Sequence, residues 1–282
     1  EICACLVGSE MCIRDRNKRS VTMNFINKCK EIYQYRHMLK TLVKQDINGR
    51  YKGSFLGFLW TLLNPLLMLF VYSLVFQFVF RTGIEHYSIY LFICLMPWNA
   101  FANTIAIGTT CVSNNASILK KVYFPREILP LAVVISNTIQ YFFSAVIIFI
   151  ALLVSGVGVS WCALFLPLIV LIQAIFSLGV IMLLSAANVY VRDVQYIMNP
   201  IMMIWMYACP ILYSISMVPE RFLKIYKLNP MTLIMMEYQN ILYNKTLPNF
   251  RNLGIVFLGS LVLLVIGYLV FNKLQRRFAE EV

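Results

Sequence analysis

From Ile128 to Val191 the chain carries no Asp, Glu, Lys or Arg, a run of more than sixty residues that is almost wholly apolar. About 20 apolar residues cover a bilayer core of about 30 Å as a helix. The run therefore predicts two crossings, Ile128–Val154 and Trp161–Tyr190, joined at Ser155-Gly-Val-Gly-Val-Ser160. Uncharged stretches at Phe55–Phe80, Tyr87 to about Thr110, Val194–Tyr213 and Leu253–Phe271 bring the expected spans to six. The later half of the second holds Asn99, Asn103, Thr104 and Thr109, polar enough to face a bundle interior rather than lipid. The fifth is interrupted by Pro200 and Pro210, tolerable where neighbours satisfy the freed carbonyls.

The segments around these spans have their own patterns. Residues 23–52 mix Ile32, Tyr35, Leu39 and Leu42/Val43 at helical spacing with Lys30, Arg36, Lys40 and Lys44. That predicts an amphipathic basic helix lying in the headgroup plane. An ordinary cytoplasmic helix packed on a partner has the same pattern. Between spans five and six, Asn229–Tyr243 is apolar, too short to cross freely, and carries Glu237, which suggests a re-entrant or interfacial helix. The expected fold is thus an all-α integral membrane protein of six transmembrane helices, with an N-terminal amphipathic helix and a re-entrant or interfacial segment. The expected divisions are 1–22, 23–52 and the six-span bundle 53–282. The run Cys5–Asp15 resembles a translated sequencing-adaptor read, so a non-native or disordered leader is expected over 1–22, with Met23 as the native start.

Composition agrees: 60% of residues are hydrophobic and 13% charged, against about 25% charged in an ordinary soluble domain. The net charge of +12 suggests nucleic acid at first sight, but cytoplasmic loops of membrane proteins collect Lys and Arg. Placing the N-terminus inside puts fourteen cations of Lys28–Arg277 in the cytoplasm and six outside, so both termini are expected to be cytoplasmic. No C-x-x-C pair occurs and His37 and His86 stand apart, which gives no metal site. A phosphate-binding G-x-x-x-x-G-K-[ST] loop, G-x-S-x-G and H-E-x-x-H are also absent. With no carboxylate inside a span to relay protons or ions, energy for any transport has to come from another subunit.

Several blocks carry a resemblance. Leu42-Val-Lys-Gln-Asp-Ile-Asn-Gly-Arg-Tyr-Lys-Gly-Ser-Phe-Leu-Gly-Phe-Leu-Trp-Thr-Leu-Leu-Asn-Pro-Leu66 resembles the opening signature of the permease subunits of ABC exporters for O-antigen, capsule and teichoic acid. Lys120-Lys-Val-Tyr-Phe-Pro-Arg-Glu-Ile-Leu-Pro130 is similar to that family's cytoplasmic loop between spans two and three. Asn188-Val-Tyr-Val-Arg-Asp193, Pro210-Ile-Leu-Tyr213 and Asn229-Pro-Met231 follow in the family's order, so the likeness runs from Met23 to the C-terminus. It implies a half-transporter: two copies form the pathway in the bacterial plasma membrane. A separate cytoplasmic ATPase, using ATP and Mg, then drives a lipid-linked glycan outward. The chain itself is expected to bind no cofactor and to catalyse no reaction. A permease exporting a drug or small lipid on the same scaffold stays open, as does an integral-membrane enzyme acting on lipid-linked sugars.

Three groups of candidate residues follow. Lys120, Lys121, Val122, Tyr123, Phe124, Pro125, Arg126 and Glu127 form a short basic and aromatic element suited to a cleft on the ATPase. A positive-inside loop meeting only headgroups has the same composition. Arg50, Tyr51 and Lys52 can hold the diphosphate of a carrier lipid, or serve as plain topological anchors. Tyr72, Phe76, Trp205 and Tyr207 can stack on sugars along a path, though interfacial girdles supply similar aromatic counts. Arg192-Asp193 reads as a turn-capping pair between spans four and five.

Overall fold

The computed structural model describes residues 25–50, 53–78, 86–121, 123–275 and 278. It divides into two units, Glu1–Met38 and Leu39–Val282. In the first, α1 (Phe25–Gln34) is followed by the start of α2 (Arg36–Gly49), and the Arg36 guanidinium lies 4.7 Å from the centre of the Tyr33 ring. The expected leader lies outside the described residues.

The second unit is helical throughout its described residues: the rest of α2, α3 (Trp60–Phe78), α4 (Tyr87–Asn114), α5 (Ala116–Lys121), α6 (Ile128–Val154), α7 (Leu166–Tyr190), α8 (Val194–Tyr207), α9 (Glu220–Tyr226), α10 (Pro230–Leu242) and α11 (Phe250–Leu274). Among the described residues four stretches are long and apolar enough to cross a bilayer: Tyr87–Lys121, Ile128–Val154, Trp161–Tyr190 and Phe250–Leu274. Their outward faces carry Phe142, Val146, Ile150 and Leu153 on α6, and Leu258, Val262, Val265 and Leu269 on α11. Exposed apolar stripes of that extent suit a hydrocarbon solvent. The chain is a multi-pass integral membrane protein.

The hairpin expected after residue 154 is present. α6 ends at Ser155, and Gly156 and Gly158 take φ of +78° and +72°, which lets the Gly158 N–H donate to the Leu152 carbonyl at 2.8 Å. The fifth expected stretch, Val194–Tyr213, is helical only to Tyr207. Its 14 residues rise about 21 Å. Proline cannot donate to the helix ladder and disfavours helix in the residue before it, so α8 stops short of Pro210. The chain then folds back through α9 into α10. The Ser113–Ile128 connection contains the short helix α5.

α4 is central. Tyr87 through Trp98 is buried except for Ser88, which is partly covered, and the helix packs against α3, α6, α7, α8 and α10. α7 and α11 approach most closely. A Cβ on Gly267 would lie 2.6 Å from the Gly179 carbonyl oxygen, and one on Gly179 would lie 2.9 Å from the Leu264 nitrogen. Small residues that let backbones touch are how helices associate without a hydrophobic driving force. Both obstructing atoms are backbone, so no rotamer change relieves them. Gly267→Val is expected to lower the unfolding free energy by about 1–3 kcal/mol, read as a lower melting temperature of the detergent-purified protein. Gly259→Val, at an exposed glycine with nothing within 4 Å of its added Cβ, is expected to melt with the wild type.

Candidate functional site

Three helices leave a cavity of about 740 Å³ among them. α3 contributes Trp60, Thr61, Asn64 and Tyr72, α4 contributes Asn99 and Asn103, and α6 contributes Asn137, Gln140, Tyr141 and Ser144. Spacings of three and four put each set on one face of its helix. Among the described residues no Asp, Glu, Lys or Arg lines the space. Amides, hydroxyls and ring edges share the lining with Pro65, Leu67, Met68, Val71, Met96 and Ala100, and the buried Thr61 hydroxyl has no hydrogen-bond partner among the described residues. Neutral polar groups at this depth in an apolar bundle are costly unless something wet or hydroxyl-rich meets them.

Of the aromatics singled out for a sugar path, Tyr72 lines this cavity. Trp205 does not. Its ring packs against Trp98, Phe101 and Phe176 at 6.3, 5.5 and 6.3 Å, and its indole N–H donates to Asn229 Oδ1 at 3.1 Å, so it belongs to the core. Tyr207 is exposed at the end of α8, away from the cavity lining. The Phe76 side chain lies outside the described residues. The amides Asn64, Asn137 and Gln140 went unnoticed in the sequence. Their signal was polar residues three or four apart within an apolar span, the pattern that picked out Asn99 and Asn103.

Arg50 stands beside the cavity rather than in a solvated collar. Its guanidinium donates to Asp46 Oδ2 at 2.8 Å, to Asn137 Oδ1 at 3.1 Å and to Gln140 Oε1, and Ser136 Oγ donates to the same Asp46 oxygen. Asn137 is oriented by its own amide N–H, which donates to the Val133 carbonyl at 2.9 Å. These partners lie 8 to 12 residues into α6, about 12–18 Å along it. On the other side a second cavity of about 480 Å³ is lined by Gln45, Asp46, Arg50, Asn114 and Asn115. Tyr51 and Lys52 lie outside the described residues.

The segment 120–127 divides into an outer and an inner half. Lys120, Lys121 and Tyr123 are exposed, Tyr123 to 85%. Phe124, Pro125 and Glu127 are buried, Glu127 to 1%. Arg126 turns inward, its guanidinium 5.7 Å from the centre of the Phe278 ring, and burial pulls its pKa down against the opposing field of the Glu127 carboxylate. Gln275 Nε2 donates to Glu127 Oε1 at 3.4 Å, and Tyr190 OH donates to the Leu274 carbonyl at 2.9 Å. The starts of α6 and the ends of α7 and α11 therefore meet at one end of the bundle, around the buried Phe278. Val122 lies outside the described residues. Asp193 makes no side-chain cap at α8; the turn is held by Asn188 Oδ1, which accepts the Gln195 N–H at 3.2 Å.

At the opposite end α10 is buried. Glu237, exposed to 0%, accepts the Asn249 N–H at 2.8 Å and the side-chain amides of Asn240 and Asn252 at 3.2 and 3.3 Å. Its negative charge sits at the N-terminus of α11, where the helix dipole favours it. Tyr238 OH donates to Gln173 Oε1 at 2.8 Å, and Gln173 Nε2 donates to the Pro97 carbonyl at 2.8 Å, tying α10 to α7 and α4. The acid that stood out in the sequence thus fixes a turn.

Helices with lipid-facing stripes around a cavity of mixed polar and apolar lining define a membrane bundle. Residues 37–243 match the family model described as ABC-2 type transporter, and the chain belongs to that family. The O-antigen export system permease protein RfbA of Myxococcus xanthus is 37% identical over 191 residues, 68% of this chain and 74% of that protein. The protein of the same name from Klebsiella pneumoniae is 34% identical over 245 residues, 86% of this chain and 94% of its own length. The capsule polysaccharide export inner-membrane protein CtrC of Neisseria meningitidis is 27% identical over 154 residues, 51% of this chain and 56% of that protein.

Glu237→Ala removes the one acceptor shared by the Asn249 N–H and the side-chain amides of Asn240 and Asn252, a loss of about 1–3 kcal/mol for each donor left unmet. It is expected to lower the melting temperature of the purified protein well below that of Glu237→Gln, whose amide oxygen still accepts the Asn249 N–H.

Proposed function

We propose that this chain is the permease subunit of an ATP-driven exporter moving a lipid-linked polysaccharide of O-antigen, capsule or teichoic-acid type across the bacterial plasma membrane. The observation that carries this reading is the 740 Å³ cavity in which neutral amides, hydroxyls and aromatic rings are interspersed with apolar side chains such as Leu67, Met68 and Val71. Sugars are rich in hydroxyls, so they can exchange hydrogen bonds with the polar groups of this lining and stack on its rings. A hydrophobic drug or lipid would offer nothing to the Asn64, Asn99 and Asn103 amides. The relatives named for O-antigen and capsule export support the same substrate class.

The rest of the reading follows. α3, α4, α6, α7, α8 and α11 are the six spans, with α8 completed by the turn and helices that follow it, and both termini face the cytoplasm. α10 serves as a re-entrant segment at the outer end. A second copy completes the pathway, and a separate cytoplasmic ATPase supplies ATP hydrolysis. Lys120, Lys121 and Tyr123 form the face offered to that ATPase, because they point outward while Phe124 to Glu127 root the segment in the bundle. Arg50, with Tyr51 and Lys52 beside it in sequence, meets the carrier diphosphate before the sugars enter the cavity.

Deleting the chromosomal gene is expected to abolish the surface polysaccharide and to accumulate its lipid-linked precursor inside; normal surface glycan with no precursor overturns the substrate assignment. Lys120→Glu with Lys121→Glu is expected to cut co-purification of the ATPase at least tenfold at unchanged permease yield. Full recovery of the ATPase removes that face from the contact.

A further inference from the structure

Asp46 and Arg50 lie one turn apart, and α6 holds both. The guanidinium uses Nη1 on Gln140 and Nη2 on Asp46 and Asn137, while its buried Nε–H has no partner among the described residues. Asp46 is the only anion on this fork among the described residues, and it engages a single N–H. The Ser136 hydroxyl donates to that same oxygen and holds the carboxylate at Nη2, leaving the Nε edge unused. The side chains are one-fifth and about one-quarter exposed, and the 480 Å³ cavity opens beside them. A guanidinium presents its Nε and Nη edge as a matched pair of donors, which phosphate oxygens fill bidentately.

From this geometry we infer that Asp46 is a resident anion occupying Arg50 until a lipid-borne diphosphate displaces it, and that this competition sets the headgroup selectivity of the site. The inference rests on the diphosphate reading of Arg50 above. An incoming phosphate takes Nε and Nη2 together, and Asp46 leaves Nη2 while keeping its bond from Ser136. No covalent bond changes. The tethered carboxylate is present at high effective concentration, so a ligand needs more than one negative charge and two well-placed oxygens to win. A phosphodiester lipid with one charge loses, although the membrane holds it in vast excess. Asp46 thus works by exclusion, the repulsive half of specificity.

The test uses the full chain with its ATPase in lipid nanodiscs and measures affinity for polyprenyl diphosphate, phosphatidylglycerol and inorganic pyrophosphate by microscale thermophoresis. Asp46→Asn keeps the size and an acceptor oxygen, so the α6 contacts survive; an unchanged melting temperature checks this. Asp46→Asn is expected to tighten polyprenyl diphosphate and pyrophosphate about tenfold each, and to tighten phosphatidylglycerol at least as much, so that discrimination narrows. Arg50→Gln is expected to lose all three, alone or with Asp46→Asn, and Arg50→Lys is expected to recover the charge but not the preference for diphosphate. Affinities within twofold of wild type in Asp46→Asn, with diphosphate binding still lost in Arg50→Gln, overturn the exchange and leave the diphosphate reading standing. A gain for polyprenyl diphosphate but not for pyrophosphate overturns it too, because the gain then arises outside the headgroup. Unchanged diphosphate binding in a folded Arg50→Gln protein removes both readings.

Discussion

A bundle in hydrocarbon has no water to correct a missed hydrogen bond, and that single constraint orders this structure. Every buried amide, hydroxyl or carbonyl has to find its partner within protein or at a wet cavity. The clearest instance is the chain of bonds from Tyr238 through Gln173 to the Pro97 carbonyl, which crosses from α10 to α7 to α4. Beside it, Gln239 donates to the Pro210 carbonyl at 2.6 Å. Together these bonds give a 13-residue segment, too short to cross a bilayer, a fixed place inside the protein. Glu237 then sets the turn into α11. Polar side chains that look like candidates for transport chemistry are, at this end, the fasteners of a broken helix.

The same constraint separates the two kinds of polar residue in the bundle. Gln173, Ser177 and Ser185 are saturated locally and lie in the core. Asn99 and Asn103 face open volume instead, whereas Asn137 and Gln140 line the same space with their oxygens engaged by Arg50. Saturated amides specify packing; amides left facing a cavity are available to a ligand. Thr61, buried on that wall without a partner, belongs to the second kind. This distinction depends on partners in three dimensions, and no count of polar residues along a span supplies it.

Much was legible from the chain because the bilayer imposes length. The charge-free run after Glu127, its glycine hairpin and the second span announce themselves by composition, and the ordered motifs from Leu42 to Met231 carried the family. What sequence could not give was which side of a residue faces what. Trp205 and Tyr72 read alike as aromatic residues in apolar segments, yet one closes a core cluster and the other lines the cavity. Arg126 read as part of a basic docking loop. Its guanidinium instead turns under the loop toward Phe278, some 150 residues away, a contact no local pattern announces. The fifth span was misjudged in extent because hydropathy continues to Tyr213 whereas Pro210 forces an earlier stop.

Arg126 and Arg50 show how one residue type serves two ends of the same machine. Arg126 is partly desolvated, braced by Phe278 and next to Glu127, and it roots the outer residues Lys120, Lys121 and Tyr123 in the ends of α6, α7 and α11. A push on that face is therefore delivered to three membrane helices rather than absorbed in a loose loop. Arg50 binds α2 to the middle turns of α6, the helix that starts at Glu127 and also walls the cavity. α6 is thus the one described helix touched by the segment of exposed Lys120, Lys121 and Tyr123 at its start, by the Asp46–Arg50 pair at its centre and by the cavity along its face. A rigid helix carrying all three can transmit displacement at one of them to the others without any chain of side-chain rearrangements, because its backbone bonds keep the spacing fixed.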